Sequence, residues 1–299
     1  MIRVLRYSLS CLLIAFVAGC DVIKAPYLDA AYLAQLPADE FCLIEAAKQD
    51  PYDPAQSSVV KRVLVEEMTG HKCGNCPRAH EEVIRLESET FKERMIPISI
   101  HAGPLSSFTP GASKYFTNFT TEAGIALYTS LNTVNAVPFG MIDRNISNTD
   151  YDTWEGHISS RLTQSPGAGI RIFTCYNPDS NTVGVVVNVK YFEAASDKEY
   201  LSVYVVEDPV IDWQKDYDAP NGSPDIPAYP HRHVLRAALN GTWGEPLSAG
   251  GLSAGGRVTK SYSFKFPTYI NPSQSHIVAF VHNVETHEVR QAEIRGATE

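Results

Sequence analysis

Apolar and polar positions follow two different periods along this chain, and the change falls near residue 167. Ahead of it, β-branched runs alternate with stretches of helical period. "RVLVEEMTG" (62–70) predicts a strand, "PRAHEEVIRLESETFKER" (77–94) a helix with Val83 and Leu86 on its inner stripe, and "MIPISIHAG" (95–103) a second strand. Strand, helix, strand in that order predicts a right-handed βαβ unit. A Ser/Thr/Gly-rich insertion over 104–132 follows, with helix expected at "SKYFTNF" and "EAGIALYTSL". "VNAVPFGMIDR" then returns to strand character, and "DYDTWEGHISSRLTQ" reads as a further helix.

Beyond residue 167 the period is two. Seven runs, "GIRIFTCY", "TVGVVVNVKYF", "YLSVYVVED", "HRHVLRAAL", "RVTKSYSFKF", "SHIVAFVHNV" and "EVRQAEIR", predict strands separated by Pro, Gly and Asn turns. This pattern predicts an antiparallel β-sandwich of immunoglobulin-like type, so the fold class expected is α/β followed by all-β. The proline-rich connection over 213–230 reads as a long loop, the kind that packs tightly or functions. His231 and His233, on one face of a strand, are expected to pin that loop to the sandwich edge. A recognition surface with Trp213, Tyr217, Tyr229 and Trp243 is the alternative.

The N-terminus changes the setting of everything downstream. Arg3 and Arg6 precede an apolar run, 9–19, too short to cross a bilayer as a helix, which reads as an export signal. It ends in "VAGC", which resembles a bacterial lipobox with Cys20 as the lipidated mature N-terminus. Residues 20–58 read as a tether and small cap, the α/β unit as 59–166 and the sandwich as 167–299. With 25 Lys plus Arg against 34 Asp plus Glu, the net charge of −9 makes the chain a poor nucleic-acid binder. The membrane is reached through the lipid alone.

"GHKCGNCPRAH" (70–80) holds Cys73 and Cys76 in C-x-x-C spacing. Three readings compete: a redox pair, half of a zinc site, or a small structural bridge. Zinc needs two more ligands, and His71, His80, His101, His231 and His233 show no second metal-ligand spacing. Covalent haem needs His after the second cysteine, where Pro77 stands. No cofactor is therefore expected. A cysteine placed at a strand-to-helix junction is activated by the helix N-terminus, which favours exchange chemistry. Cys42 and Cys175 remain, either as a second disulfide or as two buried thiols.

A strand, C-x-x-C-P at a helix start, a second strand and a Val-Pro dipeptide before a third strand resemble the thioredoxin superfamily. The resemblance implies a cis Val137–Pro138 bond beside a nucleophilic Cys73, with Cys76 as resolving thiol. It also implies that Glu67, six residues before Cys73, relays protons to Cys76. The strand alternation puts one of Glu66 and Glu67 toward solvent. Lys72 stands where the superfamily carries tryptophan, and the Gly-Asn pair between the cysteines leaves the direction of electron flow open. Together with the lipobox, "VLVEEMTGHKCGNCP", "VYVVEDPVIDWQ" and "HRHVLRAALNGTWGE" resemble the outer-membrane-protein-28 family of bacterial envelope lipoproteins. That resemblance implies an outer-membrane lipoprotein with a thioredoxin-like domain and a β-sandwich. The function expected is thiol-disulfide exchange on exported envelope proteins. The alternative is a non-catalytic binding or assembly protein whose sandwich loops meet a partner.

Overall fold

The computed structural model describes residues 37–47, 59–219 and 222–299. The signal segment, Cys20 and most of the tether lie outside the described residues. Helix α1 (Ala38–Ala47) starts directly after Pro37. Strands β1 (Val63–Thr69) and β2 (Met95–His101) pair in parallel along their whole length, joined by α2 (Cys76–Arg85). The apolar stripe of α2 packs Ala79 and Val83 onto Val63 and Val65 of β1. Strand β3 (Phe139–Ile142) runs antiparallel to β1, and β4 (Ile146–Asn148) borders it.

Two helices flank these strands. α4 (Trp154–Arg161) shares the α2 side through Trp154 and Ile158, whereas α3 (Glu122–Leu131) covers the other side with Ala123 and Leu127. Thr121 caps α3, its hydroxyl accepting from Gly124 N at 2.9 Å. "SKYFTNF" is not helical. Its groups are taken by a later hairpin: Lys114 donates to Asp225 at 2.7 Å, the Thr117 amide donates to Asp212 at 3.1 Å, and Phe119 is buried against the rings of His71, His101 and His231.

All seven period-two runs are strands. β5 (Ala168–Asn177), β6 (Thr182–Tyr191) and β12 (Arg257–Lys265) form a three-stranded antiparallel sheet. Its apolar face packs on Leu201, Val203 and Val205 of β7 (Glu199–Glu207) and on Ile277, Ala279 and Val281 of β13 (Ser275–Asn283). The connection over 213–230 is not an open loop but most of a hairpin, β8 (Val210–Lys215) with β9 (Asp225–His231). Pro227 and Pro230 hid it, yet a two-stranded ribbon has only edges, where proline is tolerated.

Hydrogen bonding continues across residue 167. Strand β10 (Val234–Ala238) pairs with β7 on one side and with β2 on the other. With β14 (Val289–Gly296) and β11 (Glu245–Pro246), the main sheet has nine strands in the order β14-β13-β7-β10-β2-β1-β3-β4, β11 joining β7. Because β1 is central, both its faces are covered. Glu66 and Glu67 are each at most 1% exposed, so neither faces solvent. Glu66 is matched by Arg144, whose guanidinium donates to both its oxygens at 2.6 and 2.7 Å.

Cys42 of α1 and Cys175 of β5 are joined by a disulfide, Cα to Cα 5.3 Å. A bridge spanning 133 residues contributes about 5 kcal/mol in the chain-entropy account. α1 can approach β6 closely because Gly184 has no side chain: a Cβ there would meet Ala38 O at 1.9 Å.

Asp143, fully buried, gathers Lys61 Nζ at 2.7 Å, Arg161 Nε at 2.9 Å and the Leu64 amide at 2.9 Å. It ties β1, the β3–β4 turn and α4 together. Asp143→Ala leaves two buried cations without their shared counter-charge and should lower stability by about 3–5 kcal/mol. Urea unfolding measures this; a loss below about 1 kcal/mol would show that water replaces the carboxylate.

Candidate functional site

Cys73 and Cys76 form a disulfide, Cα to Cα 5.4 Å, at the C-terminal end of β1. α2 starts at Cys76, so Cys73 lies in the turn ahead of the helix and Cys76 in its first turn, followed by Pro77. The turn is closed by the Cys73 amide donating to Gly70 O at 2.9 Å. Val137–Pro138 is cis. Cys73 Sγ lies 3.7 Å from Val137 O, so the proline loop sits against the first cysteine.

Glu67 points to the α2 side. His80, one turn after Cys76, meets it: His80 Nδ1 stands 3.0 Å from Glu67 Oε2, and Ser99 Oγ donates to the same oxygen at 3.4 Å. Cys73, Cys76, Pro138 and Glu67 are thus brought into one region, whereas Cys42 and Cys175 lie apart from it and join α1 to the three-stranded sheet. Behind Cys76 is a small cavity of about 10 Å³, lined by His80, Ser99, His101, Gln214, Tyr229 and His231 among others. It has room for about one water.

Three of the histidines here, His71, His101 and His231, are held toward the neutral form. Burial pushes His231 down to about 3 and keeps His101 well below the ordinary imidazole range; His71 is lowered for the same reason. Burial first, then the charge of Glu67, raises Tyr229. Among the described residues no group of three or more His, Cys, Asp or Glu side chains is arranged to hold a metal.

The β8–β9 hairpin covers the C-x-x-C turn. Lys215 N donates to His71 O at 2.8 Å, Tyr217 N to Gly74 O at 3.0 Å, and the buried Gln214 amide to Cys73 O at 2.9 Å. Arg78 adds a bond to Gly74 O at 2.8 Å and pairs with Asp216 and Asp218. The Tyr217 ring lies so close to Gly74 that a Cβ there would be 2.6 Å from it. Both cysteines are at most 2% exposed as a result. His231 lines the cavity rather than an outer surface, and His233 is held between Glu87 at 3.0 Å and Asp208 at 3.3 Å. Sequence reasoning missed His80 and Gln214 as site residues. The i, i+4 spacing of Cys76 and His80 on one helix was the available signal for the first; Gln214 carried none.

Two outcomes follow from this geometry. Gln214→Ala removes the buried bond to Cys73 O at 2.9 Å and the longer one to Gly70 O at 3.4 Å, together about 1 kcal/mol, that hold the hairpin down. Alkylation of the reduced cysteines should then accelerate about fivefold, and an unchanged rate would mean the hairpin does not limit access. His231 stays neutral in the fold while the unfolded chain takes up its proton below about pH 6.5. Stability therefore falls as pH drops from about 6.5 toward 3, by up to about 1.4 kcal/mol per pH unit for this group. His231→Gln should flatten that slope in urea titrations, and equal slopes would show that His231 protonates in the folded state.

Comparison with known proteins adds the family. No curated protein matches. The similar solved structures include HBP35 of Porphyromonas gingivalis, at 19% identity over 80% of this chain and 76% of that one, with a TM-score of 0.58; a protein of Agrobacterium tumefaciens, at 10% identity over 81% and 97%, TM-score 0.49; and a domain of the outer membrane lipoprotein Omp28 from Porphyromonas gingivalis, at 24% identity over 43% and 88%, TM-score 0.29. HBP35 shares the fold. Residues 126–297, more than half of the chain, match the family described as Outer membrane protein Omp28. That match begins after the C-x-x-C turn and takes in the hairpin and every strand from β5 to β14, and by it the chain belongs to the Omp28 family of outer membrane proteins.

Proposed function

We propose that this outer membrane protein carries out thiol-disulfide exchange on exported proteins, with Cys73 as nucleophile and Cys76 as resolving thiol. The reading treats 59–166 as a thioredoxin-like domain, 167–299 as an immunoglobulin-like sandwich and Cys20 as the lipid-bearing residue. The observation that carries it is the approach of the Val137–Pro138 loop to the first cysteine, with Val137 O 3.7 Å from Cys73 Sγ. A substrate strand lying along that loop would bring its disulfide to Cys73. In the reducing direction, Cys73 thiolate attacks the substrate disulfide, forming a mixed disulfide and expelling one substrate thiolate. Cys76 thiolate then attacks Cys73 Sγ, the Cys73–Cys76 bond forms, and the second substrate thiolate leaves. Two electrons pass from the dithiol to the substrate.

A second reading is favoured by one observation, the burial of both cysteines under the hairpin. In it the α/β unit is a scaffold and the protein binds or assembles a partner through sandwich loops. Trapping separates the two. Cys76→Ser, which lacks the resolving thiol, should accumulate mixed disulfides with envelope proteins, and Cys73→Ser should not; equal capture by both, or by neither, favours the scaffold. A Cys73–Cys76 reduction potential below about −300 mV would favour the scaffold as well.

A further inference from the structure

Cys76 must lose a proton before it can resolve the mixed disulfide, and it is buried. Glu67 does not border the cavity behind Cys76; His80 does. A carboxylate oxygen accepts, so the 3.0 Å contact with Glu67 Oε2 puts the hydrogen on His80 Nδ1 and makes Nε2 the basic atom of the ring. That Nε2 is buried and has no hydrogen-bond partner. Among the other histidines at the cavity, His231 Nε2 is 3.2 Å from Trp213 O, a carbonyl that can only accept, and both nitrogens of His101 lack partners. His80 alone among these three combines a carboxylate that fixes its tautomer with a free basic nitrogen on a ring that lines the same cavity as Cys76. This is the arrangement of a thiol, a base and a group that orients the base.

We infer that His80, oriented by Glu67, is the proton acceptor for Cys76 in the resolving step, and that Glu67 is a positioning residue rather than the direct relay. The inference rests on the exchange reading above. With a protein disulfide as oxidant and Cys73 already in the mixed disulfide, the Cys76 thiol gives its proton to His80 Nε2 across the cavity, through the one water it has room for. The thiolate attacks Cys73 Sγ, the Cys73–Cys76 bond forms, the bond from Cys73 to the substrate sulfur breaks, and the departing thiolate takes up a proton from His80 or solvent. The reverse transfer serves the opposite direction. The groups facing His80 are Glu67 from β1, Cys76 from α2, His101 from β2, and Tyr229, His231 and Arg232 from β9 and the residue after it. His101 and His231 stay neutral through burial, and Tyr229 is raised by it, so none of these three changes charge near neutral pH.

The test follows the reduced full chain as it reacts with a chromogenic aryl disulfide, which releases one coloured thiol when Cys73 attacks and a second when Cys76 resolves. In His80→Gln the ratio of second-release to first-release rate should fall about 10²-fold at neutral pH. It should recover about tenfold per pH unit toward about 8.5, as hydroxide deprotonates the thiol unaided. Glu67→Gln, which can still hold the ring, should give the same pH-dependent defect in weaker form and carries the test if His80→Gln does not fold. An unchanged ratio overturns the role of His80, and so does a defect of equal size at every pH, which marks a packing residue. If wild type releases no second thiol, the exchange reading itself fails, and this inference with it.

Discussion

The site depends on the hydrogen bonds that β10 makes along both its edges. On one side it runs antiparallel to β7; on the other, Val234 lies opposite Ser99 and the Ser99 amide donates to His233 O at 2.7 Å. The chain between β7 and β10 therefore leaves and re-enters at one place on the sheet, beside the C-terminal half of β2. In a parallel pair the C-terminal ends of β1 and β2 share an edge, which is where open α/β sheets place their chemistry. The β8–β9 hairpin is consequently held over the turn that follows β1. Asp208, after β7, fixes the other root of the hairpin by accepting two bonds from Arg232 at 2.8 and 3.0 Å.

Burying β1 on both faces obliges each polar group on it to find a specific partner. Glu66 has Arg144, Glu67 has His80, and the Leu64 amide reaches Asp143. Such buried pairs add little net stability over apolar residues of the same volume, because the desolvation cost cancels most of the attraction. Their effect is on register. A shift of β1 by one residue would turn Glu67 away from α2 and set Glu66 against apolar Val83, with both charges unpaired. Asp143 and Arg144 adopt left-handed backbone, φ 48° and 52°, and the ion pairs with Lys61, Arg161 and Glu66 hold them there.

Much of this was legible in the residues, and what was not has identifiable causes. Strands β1, β2 and β3, the helix after Cys76 and the seven later strands each carry a local period strong enough to be read. The hairpin was hidden because Pro227 and Pro230 argue against a strand unless the strand is an edge, and edges are a tertiary fact. The joining of two sheets through β10 was invisible for the same kind of reason: "HVLRAAL" has the period of a sandwich strand, and nothing local says that its second edge meets β2. Alternation alone assumed one wet face for β1 and so exposed one glutamate wrongly. The histidines were visible as residues but not as a group, since His80, His101 and His231 come from three elements and meet only when β10 is in place.

The closure over the cysteines is compatible with exchange chemistry because of what it is made of. The hairpin grips the turn through backbone carbonyls, those of His71, Cys73 and Gly74, and not through the sulfur atoms. Its hold is therefore the same whether the cysteines are reduced or oxidised. Opening the hairpin breaks these bonds together with the ion pairs of Asp216 and Asp218 to Arg78, so the open form is a minor one. A partner that binds only the open form has its apparent affinity reduced by the open fraction. A polypeptide that offers its own backbone donors to the same carbonyls replaces the bonds it breaks and recovers most of that loss, whereas a small thiol, with no backbone to offer, does not. On the exchange reading proposed above, such a cover would favour extended protein segments over free low-molecular-weight thiols.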